Sequence, residues 1–376
     1  MEKMNIPLCK PFINEKEIEL VKEVLESGWL AHGPKNKEFE ELFSKYIGAK
    51  KAVSVNSCTS ALHLSVEALS ITGEVIVPSF TFVASANSIV TGGAKPVFCE
   101  VDYDTCNMDP KSVKKAITPK TQAIMPVHFA GQSCKMGEII EIAQKHNLKV
   151  IEDSAETIGG TFNGKKTGSF GDIGCFSFYP TKNITTGEGG MVTLNDEELA
   201  KKLSALKAHG ILSSTYEREK ENKPWLRAAT YAGYNFRLCD VLAAIGIAQM
   251  GKLDEMNDLR RKHARYLSKN LCNIIQIDIP VELKECKHVY QMYTLKVKGI
   301  DRTKFIVKLR EKGIGASVHF DPPVHTQPFY KNSRWNLPVT EKVAKSIVTL
   351  PMFPSLTREE LDYIIDCVDY TIKELK

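Results

Sequence analysis

Between residues 51 and 153, short runs rich in β-branched residues alternate with stretches of helical period. No other feature of the chain limits its fold as much. KAVSVN (51–56) reads as a strand and SALHLSVEAL (60–69) as the helix after it; EVIVPS (74–79) is followed by a helical stretch closed at Gly92-Gly93. KPVFCEVD, QAIMPVHF and LKVIED are three more apolar strands, and MGEIIEIAQKHN between the last two has the amphipathic helix period. Strands that alternate with helices require crossover connections, and so a mostly parallel sheet buried on both faces. IGCFSFYP and GGMVTLN add strands with no helix between them. Beyond residue 196 the pattern turns helical, with DVLAAIGIAQMGKLDEMNDLRRKHARYLSKNL reading as one long helix that joins two domains. YQMYTLKVKG and GASVHF then read as strands, with TKFIVKLREKG and TREELDYIIDCVDYTIKEL as helices, which makes a smaller α+β unit. At about 150 residues per domain, 376 residues hold two or three units. The boundary is placed at 250/251, giving a large domain over 1–250 and a small one over 251–376.

The net charge is only 50 − 45 = +5 and is spread along the chain, which argues against nucleic acid as the partner. No apolar run reaches the roughly 18 residues of a membrane helix, and the first residues lack the pattern of a signal peptide. The expected location is the cytoplasm. The ten cysteines contain no Cys-x-x-Cys pair and read as free, mostly buried thiols.

In parallel sheets of this kind ligands bind beyond the carboxyl ends of the strands, and four segments qualify. Asn56-Ser57-Cys58-Thr59-Ser60 opens a helix with small hydroxyl residues, which suits either a simple N-cap or an anion on free backbone N–H groups. Asp153 closes a buried strand, where a carboxylate either caps the next segment or meets something positive. Lys182 in SFYPTK follows another strand, and TTGEGG (185–190) permits close approach of a ligand or a second chain. Each has an ordinary structural explanation when taken alone. Together they are what pyridoxal phosphate needs: an amine for a Schiff base, a carboxylate for the ring nitrogen and an anion pocket. Phe82, just past the second strand, supplies an aromatic face for the ring.

Several segments carry a resemblance along nearly the whole chain: GWLAHGPKNKEFE, NSCTSALHL, VPSFTFVASANSI, VIEDSAETIGG, GDIGCFSFYPTKNITTGEGGMV, GYNFRLCDVLAAIGIAQM, GIGASVHF and VHTQPFY. In these motifs and their order the chain resembles the DegT/StrS-type nucleotide-sugar aminotransferases, pyridoxal-phosphate enzymes of fold type I. The resemblance implies an α/β large domain with a mostly parallel seven-stranded sheet sandwiched by helices, plus a smaller α+β C-terminal domain. It also implies a homodimer with the active site at the interface. Lys182 would form the Schiff base and then shuttle the proton, and Asp153 would hold the ring nitrogen. Phe82 would stack on the ring, while Thr59, Ser60 and Ser177 would hold the phosphate. Asn235 would reach that phosphate from the neighbouring subunit. Trp29, His319 and His325 would lie on the substrate side; the spacing of the two histidines does not suit a metal site.

Two positions depart from the family pattern. Glu156 stands where glutamine or histidine is common near the cofactor's phenolic oxygen, although glutamate occurs among sugar aminotransferases. Cys58 replaces a frequent glycine. A lysine rather than a histidine at 182 disfavours the family's dehydratase branch. The implied activity is transfer of an amino group, from L-glutamate by family precedent, to a nucleotide-linked keto-sugar at C4, in amino-sugar and polysaccharide biosynthesis. Amination at C3 and a non-catalytic sensor on the same fold are the alternatives. A dinucleotide oxidoreductase is disfavoured, because NSCTSA stands where G-x-G-x-x-G is needed.

Overall fold

The computed structural model describes residues 3–213, 215–220, 225, 227–332 and 335–376. Seven strands form the main sheet, in the spatial order Lys51–Val55, Gly190–Leu194, Ile173–Ser177, Lys149–Asp153, Thr121–Ile124, Glu74–Pro78 and Lys95–Cys99. The last five of these run parallel to one another. Gly190–Leu194 runs antiparallel to both of its neighbours, because no helix intervenes between it and Ile173–Ser177. The strands expected in the main sheet are all present, one to four residues shorter than their apolar runs.

Burial on both faces follows the pleat. Val75, Val77, Ile151, Cys175 and Val192 point to one side, where they pack with Ala61, Leu64 and Ile89 of the helices Cys58–Ala68 and Val83–Thr91. Ile76, Ile124 and Val150 point to the other side, against Met136, Ile139 and Ile142 of the helix Met136–Lys145. Phe176 and Met191 share that second side with Phe39 and Phe43 of the helix Pro34–Ile47. The alternation explains why these strands read as continuous hydrophobic runs.

Two expectations are corrected. The long helix through residues 240–271 is two helices, Asp240–Met250 and Leu253–Leu271. The break falls at Gly251-Lys252, where Lys252 leaves helical geometry and its amine pairs with the buried Glu17 at 2.7 Å. GASVHF is not a strand. Ser317 exchanges two backbone hydrogen bonds with Thr349, and no further ladder forms. The partner of Tyr293–Val297 is instead Ile347–Leu350, antiparallel to it, in a sheet completed by Ile277–Asp278.

The second helix of the broken pair spans two cores. Leu253 and Met256 pack with Phe39 and Phe176 of the main sheet's core, while Ala264, Leu267 and Leu271 pack with Tyr293, Phe305 and Ile364 of the smaller one. The N-terminal residue Ile6 belongs to that smaller core, held between the backbones of Gly313 and Gly315. In the other direction, Val324, Tyr330 and Leu337 pack into the main core. All ten cysteines are free, five of them buried.

A charged cluster ties the N-terminal helices to the main sheet. The Lys207 amine donates to Glu40 at 3.1 Å and to the Ser54 carbonyl at 2.9 Å. Burial alone would raise the Glu40 carboxyl, but Lys207 and the His32 ring hold it at about 2. Its ordinary value is 4.5, so this contribution to stability is complete above that pH and is lost as pH falls towards 2. Melting temperature followed from pH 5 down to the acid limit should therefore fall less steeply for Glu40→Gln than for the wild type. Parallel curves would rule out the ion pair as a source of acid sensitivity.

Candidate active site

The register of the main sheet brings three strand ends into a row. Val55 pairs with Gly190 and Gly190 with Ser177, while Asp153 pairs with Cys175 two residues earlier. The carboxyl ends of Lys51–Val55, Lys149–Asp153 and Ile173–Ser177 therefore open on the same edge. At that edge the helix Cys58–Ala68 begins, with Ser57 as its N-cap accepting from the Ser60 amide at 3.1 Å. Gly190 lets the helix start lie against the sheet: a Cβ there would fall 2.5 Å from the Ser57 carbonyl carbon and 2.7 Å from the Cys58 nitrogen. Gly190→Ala should cost about 1–3 kcal/mol, as overpacking does. Denaturant unfolding would measure the loss, and unchanged stability would show that the helix start yields freely.

Asp153 is buried. Its Oδ2 accepts from the Ser85 hydroxyl at 2.8 Å and its Oδ1 from the Ala155 amide at 3.2 Å. Burial pushes its carboxyl above the usual range, against the pull of those two donors. A carboxylate so placed gains most from a cationic partner.

Glu156, three residues on, lies on the same turn. Its Oε1 accepts from the Lys182 amine at 3.2 Å and its Oε2 from the Ala130 amide at 2.9 Å. Lys182 is the fifth residue after the Ile173–Ser177 strand, and its amide donates to the Tyr179 carbonyl in a tight turn. Cys58 completes the floor. Burial and then Asp153 push its thiol well up, while Lys182 opposes them.

His319 faces the same groups. Burial lowers its pKa, Glu156 counters this and Lys182 adds to it, while its Nδ1 hydrogen-bonds the Thr349 hydroxyl at 2.7 Å. Lys182, Asp153, Glu156, Cys58 and His319 thus share one neighbourhood.

The other expected residues lie around it in different ways. Phe82 is the N-cap residue of Val83–Thr91 and leaves 64% of its surface open, which suits a ring that covers a ligand. Ser60 is tied inward, its hydroxyl bonded to Asn56 Oδ1 at 2.7 Å, whereas Thr59 is exposed. Ser177 is buried at the strand end, with its hydroxyl 3.4 Å from the Tyr179 nitrogen. Asn235 is exposed beside Phe236, whose carbonyl accepts from the Asn56 amide. His325 is buried among protein partners, with Nδ1 2.6 Å from the Ser79 hydroxyl and Nε2 3.5 Å from Glu341. Trp29 lines a separate cleft of about 1050 Å³ with His32, Tyr216 and Arg237, which neither Lys182 nor Asp153 lines.

Three contributors were not legible in the sequence: Ser85, the Ala130 amide and Thr349. Each comes from a segment far from the residue it serves, and no spacing rule joins them. The residues present fit pyridoxal phosphate. They offer an amine, a buried carboxylate, and a helix start with hydroxyls, drawn close to the sheet by Gly190.

Comparison with known proteins shows the family. Residues 11–369 match the profile of the DegT/DnrJ/EryC1/StrS aminotransferase family. The chain is 41% identical to the uncharacterized protein MJ1066 of Methanocaldococcus jannaschii, over 98% of each chain. It is 39% identical to the spore coat polysaccharide biosynthesis protein SpsC of Bacillus subtilis, over 98% of this chain and 97% of that one. Among solved structures, the PMP form of the putative sugar aminotransferase Spr1654 from Streptococcus pneumoniae superposes with a TM-score of 0.93 at 30% identity, covering 99% of this chain and all of the other. Spr1654 has also been solved in a PLP form. On this fold, a family match across nearly its whole length places the chain in the DegT/DnrJ/EryC1/StrS family of pyridoxal-phosphate-dependent aminotransferases.

Proposed function

We propose that the protein binds pyridoxal phosphate through Lys182 and moves an amino group from L-glutamate to C4 of a nucleotide-linked keto-sugar. The observation that carries this reading is the Lys182 amine paired with Glu156, within range of the Asp153 charge, at the carboxyl edge of the sheet. The sugar as acceptor is supported by the relatives, one named for polysaccharide biosynthesis and another a putative sugar aminotransferase.

When bound, the cofactor supplies an aldehyde that links to an amine and a ring that takes up the electron pair left when a neighbouring proton departs. The chain supplies everything else. The Lys182 amine would take the proton from the donor's Cα and, with the keto-sugar, would return one to the acceptor carbon. Asp153 would hold the ring nitrogen in its protonated form, where the positive charge offsets the negative charge released at Cα. Phe82 covers one face of the ring. Thr59, Ser60, Ser177 and the amides opening Cys58–Ala68 hold the phosphate, and Asn235 of a second copy adds to them. His319, near Lys182, contacts the sugar or its diphosphate. His325 serves the same side by fixing the loop that carries it, and Trp29 borders the nucleotide.

Purified protein mixed with pyridoxal phosphate should turn yellow and bleach with L-glutamate. A panel of nucleotide keto-sugars should then restore the colour with the correct acceptor alone. A colourless protein that cannot be reconstituted would overturn the proposal and favour a sensor.

A further inference from the structure

A free lysine side chain has some 1.5–2 kcal/mol of rotamer entropy to lose, so an amine kept in one place needs a tether. The Lys182 amine has one in Glu156, 3.2 Å away, with both side chains largely buried. The tether is itself fixed. The other carboxylate oxygen accepts from the Ala130 amide, and Ala130 has φ +55°, a left-handed geometry that costs a residue other than glycine about 1–2 kcal/mol. That turn is held from several directions. Asn107 Oδ1 accepts from the Phe129 amide, and the carbonyls of Ala130 and Gly131 accept from the amides of Met292 and Val289. Unfavourable backbone maintained by so many contacts is a feature of functional sites.

We infer that Glu156 is the positioning residue for Lys182: anchored on Ala130, its carboxylate holds the amine in one place and restrains it from attacking another partner until the pair is broken. The other titratable groups facing the pair are Asp153, His319 and Cys58. Of these, Asp153 already has its two oxygens on Ser85 and Ala155, and His319 has Nδ1 on Thr349. A glutamine at 156 could keep a contact with Ala130 but would hold the amine without a charge.

The inference rests on the reading of Lys182 as the reactive amine, but its test needs no cofactor. Protein freed of bound carbonyl compounds is treated with acetic anhydride at one pH, and acetylation of the Lys182 peptide is read by mass spectrometry. Glu156→Gln should raise the rate about fivefold, the effect of replacing a charged hydrogen-bond partner of the amine by a neutral one. Glu156→Asp keeps the charge but falls one methylene short of spanning Ala130 and Lys182, so it should label faster than the wild type and more slowly than Glu156→Gln. Melting temperatures establish that each variant is folded. Wild-type rates in both variants would overturn the inference, and if only Glu156→Asp folds, its rate alone decides. A chain that shows the effect yet never binds pyridoxal phosphate would instead defeat the proposed function and leave this inference standing.

Discussion

Replacing Lys182 with alanine is expected to lower turnover of glutamate with any accepted keto-sugar by at least about 10⁴-fold, since one side chain serves as both covalent anchor and proton carrier. The fold should survive. Lys182 contributes one contact to Glu156, and the main core does not include it. Circular dichroism and melting temperature should therefore stay near the wild type while activity disappears. Borohydride treatment of the wild-type protein with its cofactor should leave a pyridoxyl group on the 182 peptide, and the variant should carry none. An alanine variant that turns over at the wild-type rate would remove the lysine from the reaction.

Asp153→Asn is the second large effect. The two side chains have the same shape, so the contacts with Ser85 and Ala155 can be kept or exchanged, but the charge is gone. Turnover should drop on the order of 10²–10³-fold, the loss found when one preorganised electrostatic group is removed. Stability should hold or rise, because burial already works against the charged form of this carboxyl. Steady-state kinetics and denaturant unfolding measured together separate the two expectations. Equal losses of activity and stability would make Asp153 a structural residue.

How much of this was readable before the fold was known differs from residue to residue. The main sheet was legible because its strands carry unbroken apolar runs punctuated by helical periods, and burial on both faces imposes that pattern whatever the partners are. Asp153, Ser177 and the start of Cys58–Ala68 could be placed near a ligand for the same reason, since strand ends in such sheets share an edge. The smaller sheet was less legible. Ile347–Leu350 lies beside Tyr293–Val297 across some fifty residues of chain, and GASVHF has the look of a strand but finds only one bridge. A strand is defined by its neighbour, and a single sequence does not say which segment that is. The division of the long helical stretch at Gly251-Lys252 turns on the same point, because the buried Glu17 that meets Lys252 belongs to the first helix, Glu15–Ser27.

The sequence by itself determined the kind of sheet and the edge at which chemistry could occur, and it put forward an amine and a carboxylate for that edge. These follow from local periodicity and from side-chain chemistry, which are properties of single segments. Only the tertiary structure decided that Glu156 turns to Lys182 rather than away, that the Ala130 amide fixes it, that Ser85 serves Asp153 and that His325 is enclosed by Ser79 and Glu341. Those are contacts between residues 16 to 246 positions apart. Such contacts come from packing the whole chain around one core, and no spacing within a segment encodes them.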